Sequence, residues 1–372
     1  MPHVKKQMIS FFLTTKCNLN CIYCYNKEER KKIEEKTLSL EIAKAGINYF
    51  FDNNCSRHIR FYGPGEPTQE FALMKEITSY AKSIDSCVTV EIQTNGVFSK
   101  NVREWMLENA NIVWISFDGP PVIQNYNRPI GEEYPSAPII EENVKWLLQN
   151  KENRDLMVGA RVTMTDKNIF RQKEMVNYFS TMEIKYIWTN PLFPSVGKLP
   201  VCNDVKKLNE YSFDMDSYLD HYIEAYYYAR EKGIFYGSFL TCNFDGETNV
   251  HCRSCTPVPH LTPDGYVSAC DMVVLGENAY HMDCFIYGKW NEKNKKFDFD
   301  TEKIESLRKR TINNLPHCKN CSAKLHCGGY CLGEVVNETG DLCGQKPVTC
   351  KAIRRLIKEI GITDKPYEYL HP

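Results

Sequence analysis

The sequence predicts an α/β protein with a parallel sheet, followed by a smaller cysteine-rich unit. Two observations predict it. Short β-rich runs alternate with longer segments of helical periodicity through the first two-thirds of the chain, a pattern that builds parallel sheets with right-handed crossovers. After about residue 240 the strands shorten, and cysteines crowd between 252 and 350.

The elements follow in order. "ISFFLTT" (9–15) reads as a strand and "LSLEIAKAGINYFFD" (38–52) has helical periodicity. "HIRFY" (58–62) is β-rich, and "EFALMKEITSYAKSI" (70–84) is an amphipathic helix. A strand over 88–94 precedes a helix over 100–110, and a strand over 112–117 precedes a helix over 140–150. The fifth unit pairs a strand at 156–164 with a helix at 171–181, and a strand at 184–191 closes the series. Six β units fit an open doubly wound sheet or a partial barrel, and periodicity does not choose between them. Residues 195–211 read as a loop, 216–233 as a long helix with a Gly stop, and 348–361 as a final helix.

With 372 residues the chain suits one large domain plus a smaller one. Its 46 basic and 47 acidic residues nearly cancel, which gives no reason to expect a nucleic-acid or anionic-membrane partner. No apolar run approaches the ~20 residues of a membrane-spanning helix. The start of the chain lacks the small-residue cleavage site of a signal peptide. Seventeen cysteines, an odd number without a secretion signal, favour metal or cluster ligation over a disulfide framework.

"TTKCNLNCIYCYN" (14–26) sets Cys17, Cys21 and Cys24 in a C-x3-C-x2-C spacing. A structural zinc site takes four ligands. Three thiolates on a four-iron, four-sulfur cluster leave one iron open to a bidentate small molecule. S-adenosylmethionine offers an amino group and a carboxylate for that purpose.

This motif, with Tyr23 before its last cysteine and a strand just ahead of it, resembles the radical SAM superfamily. The resemblance implies a partial (β/α)6 TIM-like barrel and reductive cleavage of S-adenosylmethionine to a 5′-deoxyadenosyl radical. "GPGEP" (63–67), with Pro64 inside it, looks like the family's Gly-Gly-Glu-Pro loop; Gly63, Gly65, Glu66 and Pro67 would bind the cofactor's amino group. "QTNG" supplies Gln93 and Asn95, and "SFDGP" supplies Ser116 and Asp118 to line the cofactor or substrate pocket. Related enzymes continue with a His-Asp pair and an Arg; here Gln124 and Asn125 replace the pair and Arg128 keeps its place. Arg161, on the fifth strand, is a candidate partner for the cofactor's carboxylate. All sit at C-terminal ends of expected strands, where barrel loops build active sites.

The later cysteines read C-x9-G-x4-C … C-x2-C-x5-C-x3-C … C, from Cys255 to Cys350. This resembles the SPASM extension of radical SAM enzymes, a small cysteine-rich domain holding two auxiliary clusters. The resemblance implies three [4Fe–4S] clusters in all. It assigns Cys252, Cys255, Cys270 and Cys331 to the first auxiliary cluster, and Cys318, Cys321, Cys327 and Cys350 to the second. Cys242 could stand in for Cys252, and Cys343 for Cys350. Paired zinc sites are the alternative, since C-x2-C is also zinc-ribbon spacing. The expected domains are a barrel over 1–235, a SPASM domain over 236–355, and a C-terminal helix and tail over 356–372.

The chain resembles anaerobic sulfatase-maturating enzymes and ribosomal-peptide maturases. That implies a peptide or protein substrate, a one-electron donor such as flavodoxin or ferredoxin, and an anaerobe's cytoplasm. Hydrogen abstraction from a peptide residue would be followed by oxidation through the auxiliary clusters. Formylglycine formation in a sulfatase is the alternative. Chemistry on a small molecule, or a non-catalytic electron carrier, are alternatives of other classes. Asp271, directly after Cys270, is the candidate catalytic base; a carboxylate beside an anionic cluster is expected to have a raised pKa.

Overall fold

The computed structural model describes residues 7–24, 26, 34–152, 154–192 and 214–363. The loop expected over 195–211 lies outside them, as does Cys202.

Seven strands run parallel: β1 (Ile9–Phe12), β2 (His58–Tyr62), β3 (Thr89–Thr94), β4 (Ile112–Ser116), β5 (Met157–Met164), β6 (Tyr186–Pro191) and β7 (Phe235–Ser238). Between them lie α1 (Leu40–Asn53), α2 (Phe71–Ile84), α3 (Lys100–Asn109), α4 (Pro121–Asn127), α5 (Ala137–Asn150), α6 (Gln172–Thr181) and α7 (Met215–Glu231). Side-chain caps start several of these helices: Ser39 accepts from the Ile42 amide, and Asp214 from the amides of Asp216 and Ser217. The six expected units are present within a few residues of their bounds. The seventh strand was not anticipated, because "FYGS" is four residues long and shows no period.

Successive strand residues point to opposite faces. Ile59 and Phe61 of β2, Val90 and Ile92 of β3, and Val113 and Ile115 of β4 join the helices in one apolar core. The alternate positions face inward and are largely polar: His58 and Arg60, Glu91 and Gln93, Ser116 and Arg161, while Trp114 joins Ile112 and Trp188 in a small apolar cluster. Charges so buried need partners. His58 Nε2 lies 3.0 Å from Glu91 Oε2, and Arg60 forms a two-point ion pair with Asp271.

The cysteine-rich segment continues the same sheet. β8 (His260–Leu261) pairs in parallel with β1, and β9 (Tyr266–Ser268), β10 (Ile286–Asn291) and β11 (Lys296–Phe299) follow antiparallel. The order is β11-β10-β9-β8-β1-β2-β3-β4-β5-β6-β7. The barrel therefore does not close; β7 and β11 are its two edges. The boundary expected at 235/236 falls at the start of β7, inside one continuous sheet. Four helices complete the segment: α8 (Thr301–Lys309), α9 (Lys324–Cys327), α10 (Leu332–Thr339) and α11 (Pro347–Ile360). α11 buries Ala352, Ile353 and Leu356 and packs on α7, where Arg355 pairs with Asp220.

Candidate active site

The loop after β1 is pinned from several sides. The Asn20 amide donates to Pro129 O at 2.9 Å and the Ile22 amide to Asn127 O at 3.0 Å. Asn95 Nδ2 donates to Asn18 Oδ1 at 2.7 Å, and Asn18 Nδ2 donates to Val97 O at 2.8 Å. This places Cys17, Cys21 and Cys24 on the wall of a cavity of about 260 Å³ at the C-terminal ends of the strands. Burial pushes the Cys21 thiol up to about 12, while the Arg128 guanidinium beside it pulls the other way. Such a thiol ionises when a metal supplies the countercharge.

Gly63, Gly65 and Glu66 line the same cavity. The Gly65 amide donates to Thr14 O at 3.0 Å and the Glu66 amide to Lys16 O at 2.7 Å, which lays this loop against the cysteine loop. A Cβ on residue 65 would meet Lys16 O at 2.0 Å, so only glycine allows the approach. Glu66 Oε1 accepts from the Thr68 amide, Thr68 Oγ1 and Thr94 Oγ1, and Oε2 from the Asn95 amide at 2.7 Å. Burial still raises its pKa. Pro67 departs from expectation: it opens a short turn capped by Glu66 and does not line the cavity.

Gln93, Asn95 and Ser116 do line it. Asp118 departs from expectation too. It is fully buried behind the wall, where its carboxylate accepts from Tyr23 Oη at 2.5 Å, Asn127 Nδ2 at 3.1 Å and the Thr163 amide at 3.0 Å. Arg128 Nε lies 3.2 Å from it and the guanidinium stacks on the Tyr23 ring. Tyr23, Asp118 and Arg128 thus form one buried brace, of which Tyr23 and Arg128 reach the cavity. The glutamine that replaces the family's His serves this turn: Gln124 Oε1 accepts from the Asp118 amide at 2.8 Å. Asn125 Oδ1 accepts from the Ala137 amide at 2.9 Å.

Arg161 lines the cavity, donates to Gln93 Oε1 at 2.9 Å and stacks on Trp114. Its buried Nε has no hydrogen-bond partner, and burial lowers its pKa. A desolvated guanidinium with a spare donor suits a carboxylate.

Cys252, Cys270 and Cys331 line the same cavity from the C-terminal segment, and Cys255 is buried one turn beyond Cys252. Burial raises the pKa of Cys270 and of Cys331. A Cβ on Gly333 would sit 2.8 Å from Cys270 Sγ, so glycine keeps room beside that thiol. Cys318, Cys321, Cys327 and Cys350 line a second, separate cavity. The other candidates lie apart. Cys242 is buried against Trp188 with its Sγ 3.6 Å from His251 Nε2, and Cys343 is exposed outside the second cavity. Among the described residues no three His, Cys, Asp or Glu side chains are arranged for a single metal ion. Four thiols are the ligand number of a four-iron, four-sulfur cluster as well as of a structural zinc site.

Asp271 lines the cavity, but its surroundings reverse the expected shift. Arg60 grips both carboxylate oxygens, one at 2.9 Å, and His260 Nε2 lies 3.7 Å away. Burial works against the charge, yet Arg60 and His260 hold the carboxyl well below the usual range. Arg60, Arg253, His260 and Trp188 also line the cavity and were not singled out from the sequence. A signal existed for two of them. Arg60 occupies the inward position of an alternating strand, and Arg253 sits between two cysteines.

Strand ends here gather three thiols, a glycine loop and a desolvated arginine around one cavity. Residues 11–170 match the radical SAM superfamily, and the chain carries a radical SAM domain. Over 376 aligned residues it is 21% identical to the radical SAM cyclopropyl synthase TigE of Paramaledivibacter caminithermalis, covering 95% of this chain and 73% of that one. It is 22% identical to a cysteine-type anaerobic sulfatase-maturating enzyme of Clostridium perfringens over 85% of each. The solved structure of native anSMEcpe with bound AdoMet and Cp18Cys peptide superposes with a TM-score of 0.71 at 17% identity, covering 95% of each chain. Among the described residues no helix is long and apolar enough to cross a membrane.

Proposed function

We propose that this enzyme modifies a residue of a peptide or protein substrate, as a ribosomal-peptide maturase does when it forms a crosslink. The observation that carries the reading is the shared cavity: Cys17, Cys21 and Cys24 line one part of its wall, and Cys252, Cys270 and Cys331 another. Cys17, Cys21 and Cys24 would hold a [4Fe–4S] cluster, which would supply the one-electron reduction of S-adenosylmethionine. Arg161 binds the cofactor's carboxylate through Nε, and the loop of Gly63, Gly65 and Glu66 takes its amino group. The Tyr23–Asp118–Arg128 brace fixes the cysteine loop. Cys252, Cys255, Cys270 and Cys331 hold a first auxiliary cluster beside the substrate, and Cys318, Cys321, Cys327 and Cys350 a second. Strands β1 to β7 carry the S-adenosylmethionine chemistry, and the segment after β7, through α11, carries the auxiliary clusters.

A peptide substrate is supported by the relatives: anSMEcpe has been solved with a peptide bound. Formylglycine formation is the second reading. Asp271 bears on it: its carboxylate faces the cavity beside Cys270 and is oriented by Arg60, in the same ion pair that makes it a weak proton acceptor. The test is anaerobic incubation of the reconstituted enzyme with S-adenosylmethionine, dithionite and candidate peptides. We expect 5′-deoxyadenosine, and a peptide that loses two hydrogens per new bond. A new aldehyde instead would establish the sulfatase-type reading, and no deoxyadenosine would overturn both.

A further inference from the structure

The face around the second cysteine set is strongly one-sided in charge. Residues 316–327 and 345–354 enclose it and carry Lys319, Lys324, Lys346, Lys351 and Arg354 without a single Asp or Glu, although acidic residues make up 47 of the chain's 372. Lys346 is neutralised by Glu334 at 2.6 Å and Glu338 at 2.9 Å, and nearby Arg355 by Asp220. Four cationic groups remain. Two of them serve the site itself: Arg354 Nη1 lies 3.9 Å from Cys321 Sγ, and Lys324 lines the cavity. The other two, Lys319 and Lys351, are exposed and do not line it. Charge balance for a buried cluster does not require them. Cys321 and Cys350 are themselves partly exposed, and Val348, two residues from Cys350, is an apolar side chain 60% open to solvent.

We propose that this face docks an acidic one-electron carrier protein, of the flavodoxin or ferredoxin class. The proposal rests on the reading that this set holds a redox cluster. A small apolar centre beside a partly exposed redox group, rimmed by like charges, suits a brief encounter steered by electrostatics rather than a large stable interface. One electron leaves the reduced second cluster and enters the carrier's flavin or iron–sulfur centre; no atom is transferred. That gives the electron removed from the substrate a way out of the enzyme.

The test mixes dithionite-reduced, desalted holoenzyme with oxidised flavodoxin and follows the semiquinone by stopped flow at several salt concentrations. For the wild type, the second-order rate should fall as salt rises. The double variant Lys319→Glu/Lys351→Glu should be about tenfold slower at low salt, and nearly equal to wild type at high salt. Its iron content, and its deoxyadenosine formation with dithionite as the reductant, should match wild type. Equal rates and salt slopes for the two proteins would overturn the docking face. So would iron loss in the variant, which would make these lysines part of the cluster's own support. A wild type that makes no deoxyadenosine with dithionite would instead sink the proposed function, and the flavodoxin rates would still judge the docking face.

Discussion

Set side by side, the two auxiliary cysteine groups use the same donor atoms in opposite surroundings. Cys252, Cys270 and Cys331 share the central cavity with Cys17, Cys21 and Cys24, walled by Arg60, Arg161 and Arg253. Cys318, Cys321, Cys327 and Cys350 open on a separate cavity at the protein's edge, beside exposed lysines. Spacing alone treats the groups as equivalent ligand sets. Their positions in the fold separate them: one shares the cavity of the N-terminal cysteines, the other lines a separate cavity with partly exposed cysteines. Under the proposed function the pair would form a relay from interior to surface.

This contrast can be broken or sharpened by substitution. The largest effect belongs to the N-terminal set. Cys24→Ala should abolish 5′-deoxyadenosine formation, read by chromatography of the quenched reaction; cleavage near the wild-type level would remove these cysteines from the cofactor site. Next comes the wall between the sets. Arg161→Gln should raise the KM for S-adenosylmethionine about 10- to 100-fold, the value of a hydrogen bond to a charged group, with a smaller change in kcat. An unchanged KM would mean that its unpaired Nε serves something else. The smallest effect on cofactor cleavage belongs to the outer group. Cys321→Ala should keep most deoxyadenosine formation while losing most modified product; full product yield would contradict the electron-exit role.

Much of this architecture is legible in the sequence, for reasons that particular residues make plain. The bounds of β2 coincide with the expected strand because "HIRFY" alternates inward and outward side chains. Cys17, Cys21 and Cys24 converge because they occupy one short loop, and the relevant physics is local. What escaped reading depends on contacts distant along the chain. Arg60 and Asp271 are 211 residues apart, and nothing local to either announces that β8 pairs with β1. For that reason Asp271 looked like a carboxylate with a raised pKa, whereas Arg60 keeps it ionised. Asp118 and Pro67 were read as cavity residues from the motifs that contain them. In the fold, Asp118 turns away to brace Tyr23 and Arg128, and Pro67 starts a turn beneath Glu66.

The claim on which the whole account turns is that three separate thiol sets each hold an iron–sulfur cluster. An iron, sulfide and zinc count on anaerobically reconstituted protein tests it directly, with the Cys17→Ala/Cys21→Ala/Cys24→Ala triple variant measured beside it. The account predicts about twelve irons in the wild type and about eight in the variant, with no zinc. About four irons with zinc in the remaining sites would contradict it, making the C-terminal sets structural and leaving the substrate's electron no path to the surface.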